Sequence, residues 1–276
     1  RAMKIIVSHD VDHLYRSDHY KDLIYPKLWV RETLSFLKHD ITFSQWWRRL
    51  LGIFARERNY IEELMKYDEG NGVPSSFYFG MDNALGMSYK YTKAIPYIKK
   101  LQSHGFDTGI HGVSFEDEGK MRDEFERFRT AVGVAPRGIR MHYVRYDENT
   151  FEKLSRCGYV YDTTEFVKSE GTCLKAPYKV GEMWEFPLSL MDGYLPKRPE
   201  GKKEESLRLL KDAEDKGLPY FSILFHDYQF CSGYAYERDW YIWFIKYLKE
   251  QGYTFISYLD AVKELEEINS NEDNEC

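Results

Sequence analysis

The sequence has few cysteines, no long apolar run and none of the short motifs that mark common nucleotide or serine-hydrolase sites. Its four cysteines, Cys157, Cys173, Cys231 and Cys276, form no Cys-x-x-Cys pair, so no disulfide framework is expected and a reducing, cytoplasmic setting is the simplest interpretation. No run of about 18 apolar residues is present, which excludes a transmembrane helix. A Gly-rich phosphate loop and a Gly-x-Ser-x-Gly elbow are also absent.

Charge and composition narrow the possible classes of protein further. The 276 residues carry 39 Lys+Arg against 45 Asp+Glu, a net charge of −6, which argues against a general nucleic-acid binder. A hydrophobic share of 43% with 30% charged residues is typical of an ordinary globular protein. No secretory signal is visible at the N-terminus, which also favours the cytoplasm. Aromatic residues make up 17% and fit either a sugar-binding cleft or an aromatic core.

Short apolar segments alternate with segments of helical periodicity along most of the chain. Predicted strands cover residues 4–8, 76–80, 106–111, 138–142, 159–162, 220–226 and 254–257. Predicted helices cover residues 92–104, 117–132, 150–157, 204–216, 240–251 and 259–268. This alternation predicts parallel strands joined by right-handed crossovers, hence an α/β sheet or barrel. We expect one domain over residues 1–268 and a flexible acidic tail at 269–276.

Residues 14–71 interrupt the alternation, because one crossover helix does not need so long a segment. We interpret this segment as a helical insertion after the first strand that caps the barrel. Its stripe of Trp46, Leu50 and Phe54 has helical spacing. With arginines nearby, the stripe could contact a membrane surface or a lipid-linked substrate. Packing of the stripe on the barrel is the alternative, and we favour it.

Titratable residues follow several predicted strands, at the end where α/β barrels carry their chemistry. Asp10 and Asp12 leave the first strand on one face, so one could bind a divalent metal while the other accepts a proton from water. Capping of a turn is the alternative for such a pair. His111 and His226 end two further strands, and the pKa range of histidine suits a proton donor near neutrality.

Five segments in this order resemble the motifs of the polysaccharide deacetylases of the NodB-homology type, carbohydrate esterase family four. They are Val7–Asp12, Pro74–Phe79, Gly105–His111, Arg140–Tyr143 and Ile223–Asp227. The resemblance covers residues 4 to about 258 and implies a distorted (β/α) barrel.

The resemblance also implies roles for individual residues. Asp10 would be the catalytic base, Asp12 and His111 metal ligands, Arg140 a residue that shapes the groove, and His226 the general acid. Asp192 is the candidate acid that orients catalytic groups, with Asp162 as the alternative. Tyr78 and Tyr143 lie in matching segments and are candidate substrate-binding residues.

The second motif departs from the family pattern, which has a histidine pair four residues apart. Phe115 stands where the second histidine is expected. Catalytic zinc normally takes three protein ligands, so we hypothesise that His142, where the family commonly has proline, supplies the third. A groove-lining hydrogen-bond donor is the alternative role for His142. Zinc is the expected divalent metal, with cobalt, manganese, nickel or iron as alternatives.

The resemblance implies a metal-dependent hydrolase that removes an acetyl group, most fittingly an N-acetyl group, from a polymeric or precursor carbohydrate. A degenerate member that binds carbohydrate without cleaving it is the main alternative, because of Phe115. The His-Asp dipeptides at residues 9–10 and 226–227 also occur in metal phosphohydrolases, but there they lie on helices, whereas both follow apolar strands here.

Overall fold

The computed structural model describes residues 2–275 and forms one nine-stranded sheet with nine α-helices around it. The strands are β1 (Lys4–Val11), β2 (Ser76–Phe79), β3 (Asp107–Gly112), β4 (Gly138–Met141), β5 (Tyr161–Asp162), β6 (Tyr178–Val180), β7 (Met183–Glu185), β8 (Leu190–Met191) and β9 (Tyr220–Leu224). The helices are α1 (Ile24–Leu37), α2 (Phe43–Gly52), α3 (Ile61–Gly70), α4 (Tyr91–Ser103), α5 (Glu118–Val132), α6 (Thr150–Cys157), α7 (Pro199–Asp215), α8 (Ala235–Glu250) and α9 (Tyr258–Glu275).

The sheet order is β6-β7-β5-β4-β3-β2-β1-β9-β8, and every neighbouring pair is parallel except β6 and β7. The sheet curls into a half-barrel, which confirms the predicted distorted barrel. β1, β2 and β9 are almost wholly buried, as expected for parallel strands with helices on their outer face. Their carboxyl ends therefore meet at one rim.

Local signals set the ends of several helices. The Asp117 side chain accepts a hydrogen bond from the Lys120 amide and begins α5. Gly133 and Gly158 end α5 and α6 with φ of 93° and 104°, a conformation that favours glycine. Gly138 permits a close approach instead, because a Cβ there would lie 2.0 Å from Cζ of Tyr161.

The secondary structure differs from the predictions in three places. Residues 254–257 make one bridge, Ile5 to Phe255, and no full strand. The expected flexible tail is helical as far as the structure describes it, since α9 runs to Glu275, and Cys276 lies outside the described residues. The short strands β6, β7 and β8 went unpredicted, because two or three residues carry too little alternation to detect.

The insertion is shorter than predicted. Helix α3 belongs to the ordinary crossover from β1 to β2, so the insertion comprises residues 14–60 with helices α1 and α2. Buried Arg49 fixes it to the barrel by donating to the Gly233 carbonyl at 2.8 Å and pairing with Glu237 of α8 at 3.5 Å. Within the insertion, Arg49 also pairs with Glu32 of α1. No helix among residues 2–275 is long and apolar enough to cross a bilayer.

Candidate metal centre

The parallel strands bring three metal-ligating side chains together at the rim. Asp12 directly follows β1, His111 lies on β3 and His142 directly follows β4. One ligand atom from each lies within 4.8 Å of the other two. Nε2 of His111 lies 3.1 Å from Oδ1 of Asp12, and Nδ1 of His142 lies 3.5 Å from the same oxygen. The carboxylate and the two imidazoles therefore face one point.

The hydrogen bonds behind the two imidazoles orient them towards that point. Nδ1 of His111 lies 2.9 Å from the Arg140 carbonyl, and Nε2 of His142 lies 3.0 Å from the Leu85 carbonyl. A carbonyl only accepts, so each of these nitrogens carries the proton. In the neutral rings the other nitrogens, 3.0 Å apart, then present lone pairs to each other. Such backbone partners are typical of metal-bound histidines.

The donor set fits a divalent cation. Oδ1 of Asp12 is buried and accepts no hydrogen bond that meets normal geometry from residues 2–275. With both imidazoles neutral, three acceptors converge without a donor between them, and a cation or an added proton must balance them. One carboxylate and two imidazoles are a ligand set that suits zinc.

Asp10 is a further carboxylate at the rim, close to the three candidate ligands. Asp10 is buried beside the ligands, and its Oδ1 accepts a hydrogen bond from Nη1 of Arg140 at 3.0 Å. Its Oδ2 lies 3.8 Å from Nε2 of His111, on the side of the candidate metal position. Oδ2 of Asp10 is thus placed to accept a proton from a group bound there.

Arg140 is fully buried, so it holds Asp10 rather than contacting a substrate in the groove. It donates to the Thr163 carbonyl at 2.9 Å and to the Ser8 hydroxyl at 2.7 Å. Burial opposes its charge, but the Asp10 carboxylate beside it raises the pKa of Arg140 above its ordinary value. Arg140 therefore lies behind Asp10 and positions that acid.

His226, two residues after the end of β9, faces Oδ2 of Asp12, whereas the two ligand imidazoles face Oδ1. Nδ1 of His226 donates to the Asp192 carboxylate at 2.8 Å, and Nε2 lies 3.6 Å from Oδ2 of Asp12. The same carboxylate accepts the backbone N–H groups of His226 and Gly193, each at 2.7 Å. Asp192 therefore fixes both the tautomer and the direction of the His226 ring.

The charges at the rim shift several pKa values. Burial lowers the pKa of His226, but the carboxylates of Asp192, Asp12 and Asp10, with Asp192 the largest cause, raise that pKa to about 10. Burial also opposes protonation of His111, but Asp10 and Asp12 raise its pKa above the ordinary value. For Asp12, burial raises the pKa, yet the imidazoles of His111 and His142 next to it bring that pKa well below its usual range. The site therefore favours an ionised Asp12 and a charged His226.

Phe115 does not line the centre in place of the expected histidine. It packs against the hydrophobic core, and the guanidinium of Arg145 lies 5.2 Å from its ring centre. His142 joins the cluster because the chain turns sharply after β4, with Tyr143 at φ 58°. The His142 interpretation as a ligand thus agrees with its position beside Asp12 and His111.

Two other sequence predictions need correction, and one stays a prediction. Tyr78 is fully buried and its hydroxyl bonds that of Tyr161 at 2.8 Å, so a sugar at the rim cannot reach it. Asp162, the alternative to Asp192, is buried against Thr164 and does not contact His226. Tyr143 is 58% exposed, and its ring centre lies 4.5 Å from that of His142, which suits a surface for sugar stacking.

A second group of hydrogen-bonded histidines at the rim, His13 and His19, was not predicted from the sequence. Nδ1 of His13 lies 2.9 Å from Nε2 of His19, and Nδ1 of His19 lies 2.7 Å from the Asp22 carboxylate. The ring of Tyr228 stands between His13 and His226, 5.5 and 5.8 Å from their centres. The signal for this group in the sequence was His13, which directly follows Asp12.

The fold is that of the polysaccharide deacetylases. A crystal structure of a protein from Mycobacterium smegmatis, provisionally assigned as a polysaccharide deacetylase, superposes with a TM-score of 0.63 at 17% identity, covering 98% of this chain and 92% of that one. Further solved structures include a polysaccharide deacetylase from Bacillus cereus, with a TM-score of 0.48 at 12% identity over 93% of this chain and 92% of that one.

Another is a CE4 family pseudoenzyme from Bacillus anthracis, with a TM-score of 0.48 at 11% identity over 95% of this chain and 66% of that one. No family model and no curated protein matches this chain. At 17% identity, the likeness to the Mycobacterium smegmatis structure establishes the fold alone.

Proposed function

We propose that this chain is a metal-dependent hydrolase that removes an acetyl group, most fittingly an N-acetyl group, from a carbohydrate. The observation that carries the proposal is the convergence of Asp12, His111 and His142 at one point. Asp10 lies on one side of this point, and the His226–Asp192 pair lies on the other. A base and an acid on either side of a metal position are what amide hydrolysis needs.

A divalent metal held by Asp12, His111 and His142 would supply Lewis acidity towards the acetyl carbonyl and lower the pKa of a bound water. Asp10 would take the proton of the attacking water through Oδ2, because Arg140 occupies its Oδ1. Tyr143, exposed beside His142, would stack on the sugar.

His226 would donate the proton that the departing amine requires, through Nε2. An amine leaves poorly without that proton, and the pKa of about 10 keeps His226 charged at neutral pH. Asp192 acts as a positioning residue that holds the Nδ1 proton of His226. Asp10 and His226 thus have separate roles as base and acid. Their different surroundings set these roles, because Asp10 lies beside Arg140 and His226 lies beside Asp192.

Metal content is the first test, measured on protein purified without chelator and then incubated with zinc and dialysed. We expect about one equivalent in the wild type and a large loss in His111→Ala and in His142→Ala. His104→Ala is the matched control, because His104 lies on the surface and pairs with Glu69. Unchanged metal content in His142→Ala would exclude His142 as the third ligand.

Acetate release from acetylated chitooligosaccharides is the second test. Asp10→Asn should abolish turnover while metal content stays unchanged, since Asp10 is placed as the base and not as a ligand. Normal turnover in Asp10→Asn would refute that assignment. Sugar binding by the wild type without metal or turnover would instead favour the non-catalytic carbohydrate-binding protein.

A further inference from the structure

Exposed apolar side chains concentrate on the insertion. Of the fifteen large hydrophobic side chains exposed among residues 2–275, ten lie between residues 20 and 54. They are Tyr20, Leu23, Trp29, Val30, Leu34, Leu37, Phe43, Trp47, Leu51 and Phe54. A contiguous exposed apolar surface of this kind typically marks a protein or membrane interaction site.

Most of these side chains form one stripe on each insertion helix. On α1 the stripe consists of Leu23, Val30, Leu34 and Leu37, at helical spacings of seven, four and three residues. On α2 and the turn after it, Phe43, Trp47, Leu51 and Phe54 repeat at spacings of four, four and three. Phe36 of α1 packs against Phe43 of the second stripe with ring centres 6.0 Å apart, so the two helices that carry the stripes are in contact. We call the two stripes together the apolar face.

Basic side chains surround the apolar face. Residues 14–60 contain nine Lys+Arg against five Asp+Glu, a charge of +4 within a chain of −6. Four of the five acids, Asp18, Asp22, Glu32 and Asp40, already pair with cationic or histidine side chains. Seven basic residues make no ion pair with a carboxylate of residues 2–275: Arg16, Lys21, Lys27, Lys38, Arg48, Arg56 and Arg58. Ion pairs within residues 2–275 therefore do not neutralise the excess positive charge on the insertion.

Charge and apolar surface meet in a groove along α1. Val30 and Leu34 line it together with Lys27, Arg31 and Lys38. Apolar side chains beside lysine and arginine match an acyl chain below an anionic headgroup. A second copy of this chain fits less well, because a two-fold contact brings the same patch against itself and so places like charges together.

We propose that the apolar face docks on an anionic phospholipid bilayer and holds the chain at the membrane surface without crossing it. The insertion begins two residues after Asp12, and Arg49 stacks on Tyr234, in the loop after β9, at 3.9 Å. The rim would then lie near the bilayer, and the acetylated sugar would be lipid-linked, a consequence that rests on the proposed function. Docking itself does not depend on catalysis.

Co-sedimentation with large unilamellar vesicles tests the docking. The wild type should bind vesicles with an equal share of phosphatidylglycerol and phosphatidylcholine, and bind vesicles of phosphatidylcholine alone far less. Raising the salt from about 0.1 M to about 0.5 M should weaken binding. Each basic residue near an anionic surface contributes about fivefold to partitioning. The triple variant Lys27→Glu/Lys38→Glu/Arg48→Glu should therefore bind at least about 100-fold less.

The apolar contribution needs its own variant, Leu34→Ser/Trp47→Ser/Phe54→Ser, which should also lose binding to vesicles with phosphatidylglycerol. Matched controls should bind like the wild type: Val134→Ser for the apolar set, and Lys66→Glu/Lys99→Glu/Lys249→Glu for the charges. All these positions are exposed, and circular dichroism and melting temperatures should confirm that every variant folds.

Two results would overturn the proposal. One is that the wild type binds the vesicles no more than the two insertion variants do, which includes the case of no binding at all. The other is a wild-type dimer in light scattering that the apolar variant dissociates while vesicles remain unbound, which would make the face a contact between two copies. Neither result would bear on metal content or acetate release, so the proposed function would stand or fall separately.

Discussion

Replacement of Asp192 by asparagine should lower the pKa of His226, the proposed general acid. Burial lowers the pKa of His226, but three carboxylates, Asp192 first and then Asp12 and Asp10, raise it from 6.5 to about 10, a preference for the charged ring of about 5 kcal/mol. The His226 side chain is 17% exposed, so solvent screens little of this interaction. Asparagine can still accept the Nδ1 proton but carries no charge. The pKa of His226 should therefore fall towards its ordinary value of 6.5.

The expected loss of activity follows from that shift and depends on pH. At pH 8 the wild-type ring stays almost fully charged, whereas a ring with a pKa of about 6.5 is charged in about 3% of molecules. Deacetylation should then fall by up to about 30-fold at pH 8 from protonation alone, and by less than about twofold at pH 6. The alkaline limb of the pH–rate profile should move towards lower pH.

Acetate release from N-acetyl and O-acetyl substrates between pH 6 and 9 is the assay, with metal content measured alongside. The amide should suffer more than the ester, because an alkoxide leaves with less need of a proton. Asp68→Asn is a matched control, since Asp68 bonds the buried His9 at 2.7 Å away from the ligands. It should lower stability without moving the alkaline limb. An equal loss at pH 6 and pH 8 in Asp192→Asn would refute the reasoning.

Three further predictions concern substrate contact and stability. Tyr143→Ala should raise KM several-fold with metal content unchanged; an unaltered KM would remove Tyr143 from the binding surface. Burial raises the pKa of Glu124 to about 7, so the free energy of unfolding should fall between about pH 4.5 and 7 by up to about 3 kcal/mol, a slope that urea titrations should find absent in Glu124→Gln. Gly138→Ala should destabilise by about 1–3 kcal/mol in the same titrations, because its Cβ meets the Tyr161 ring, whereas Gly70→Ala, with open space, should not.

Much of the rim could be predicted from the sequence because parallel strands obey a simple rule. Asp10, Asp12, His111 and His226 each end or follow an apolar run, and carboxyl ends of parallel strands share one edge. Their convergence therefore needed only the strand assignments. The insertion was also predictable as an interruption of the alternation, although its limit at residue 60 was not, since α3 has the same helical periodicity.

Local sequence determined the order of strands and helices, the acids and histidines at the strand ends, and the excess of basic and apolar residues on the insertion. Only the tertiary structure decided which of them act together. It placed Asp192 rather than Asp162 beside His226, turned the chain at Tyr143 so that His142 faces Asp12, and buried Arg140 behind Asp10. Each of these contacts joins residues distant in the chain through the curl of the sheet, and no sequence pattern of short range records such a distance.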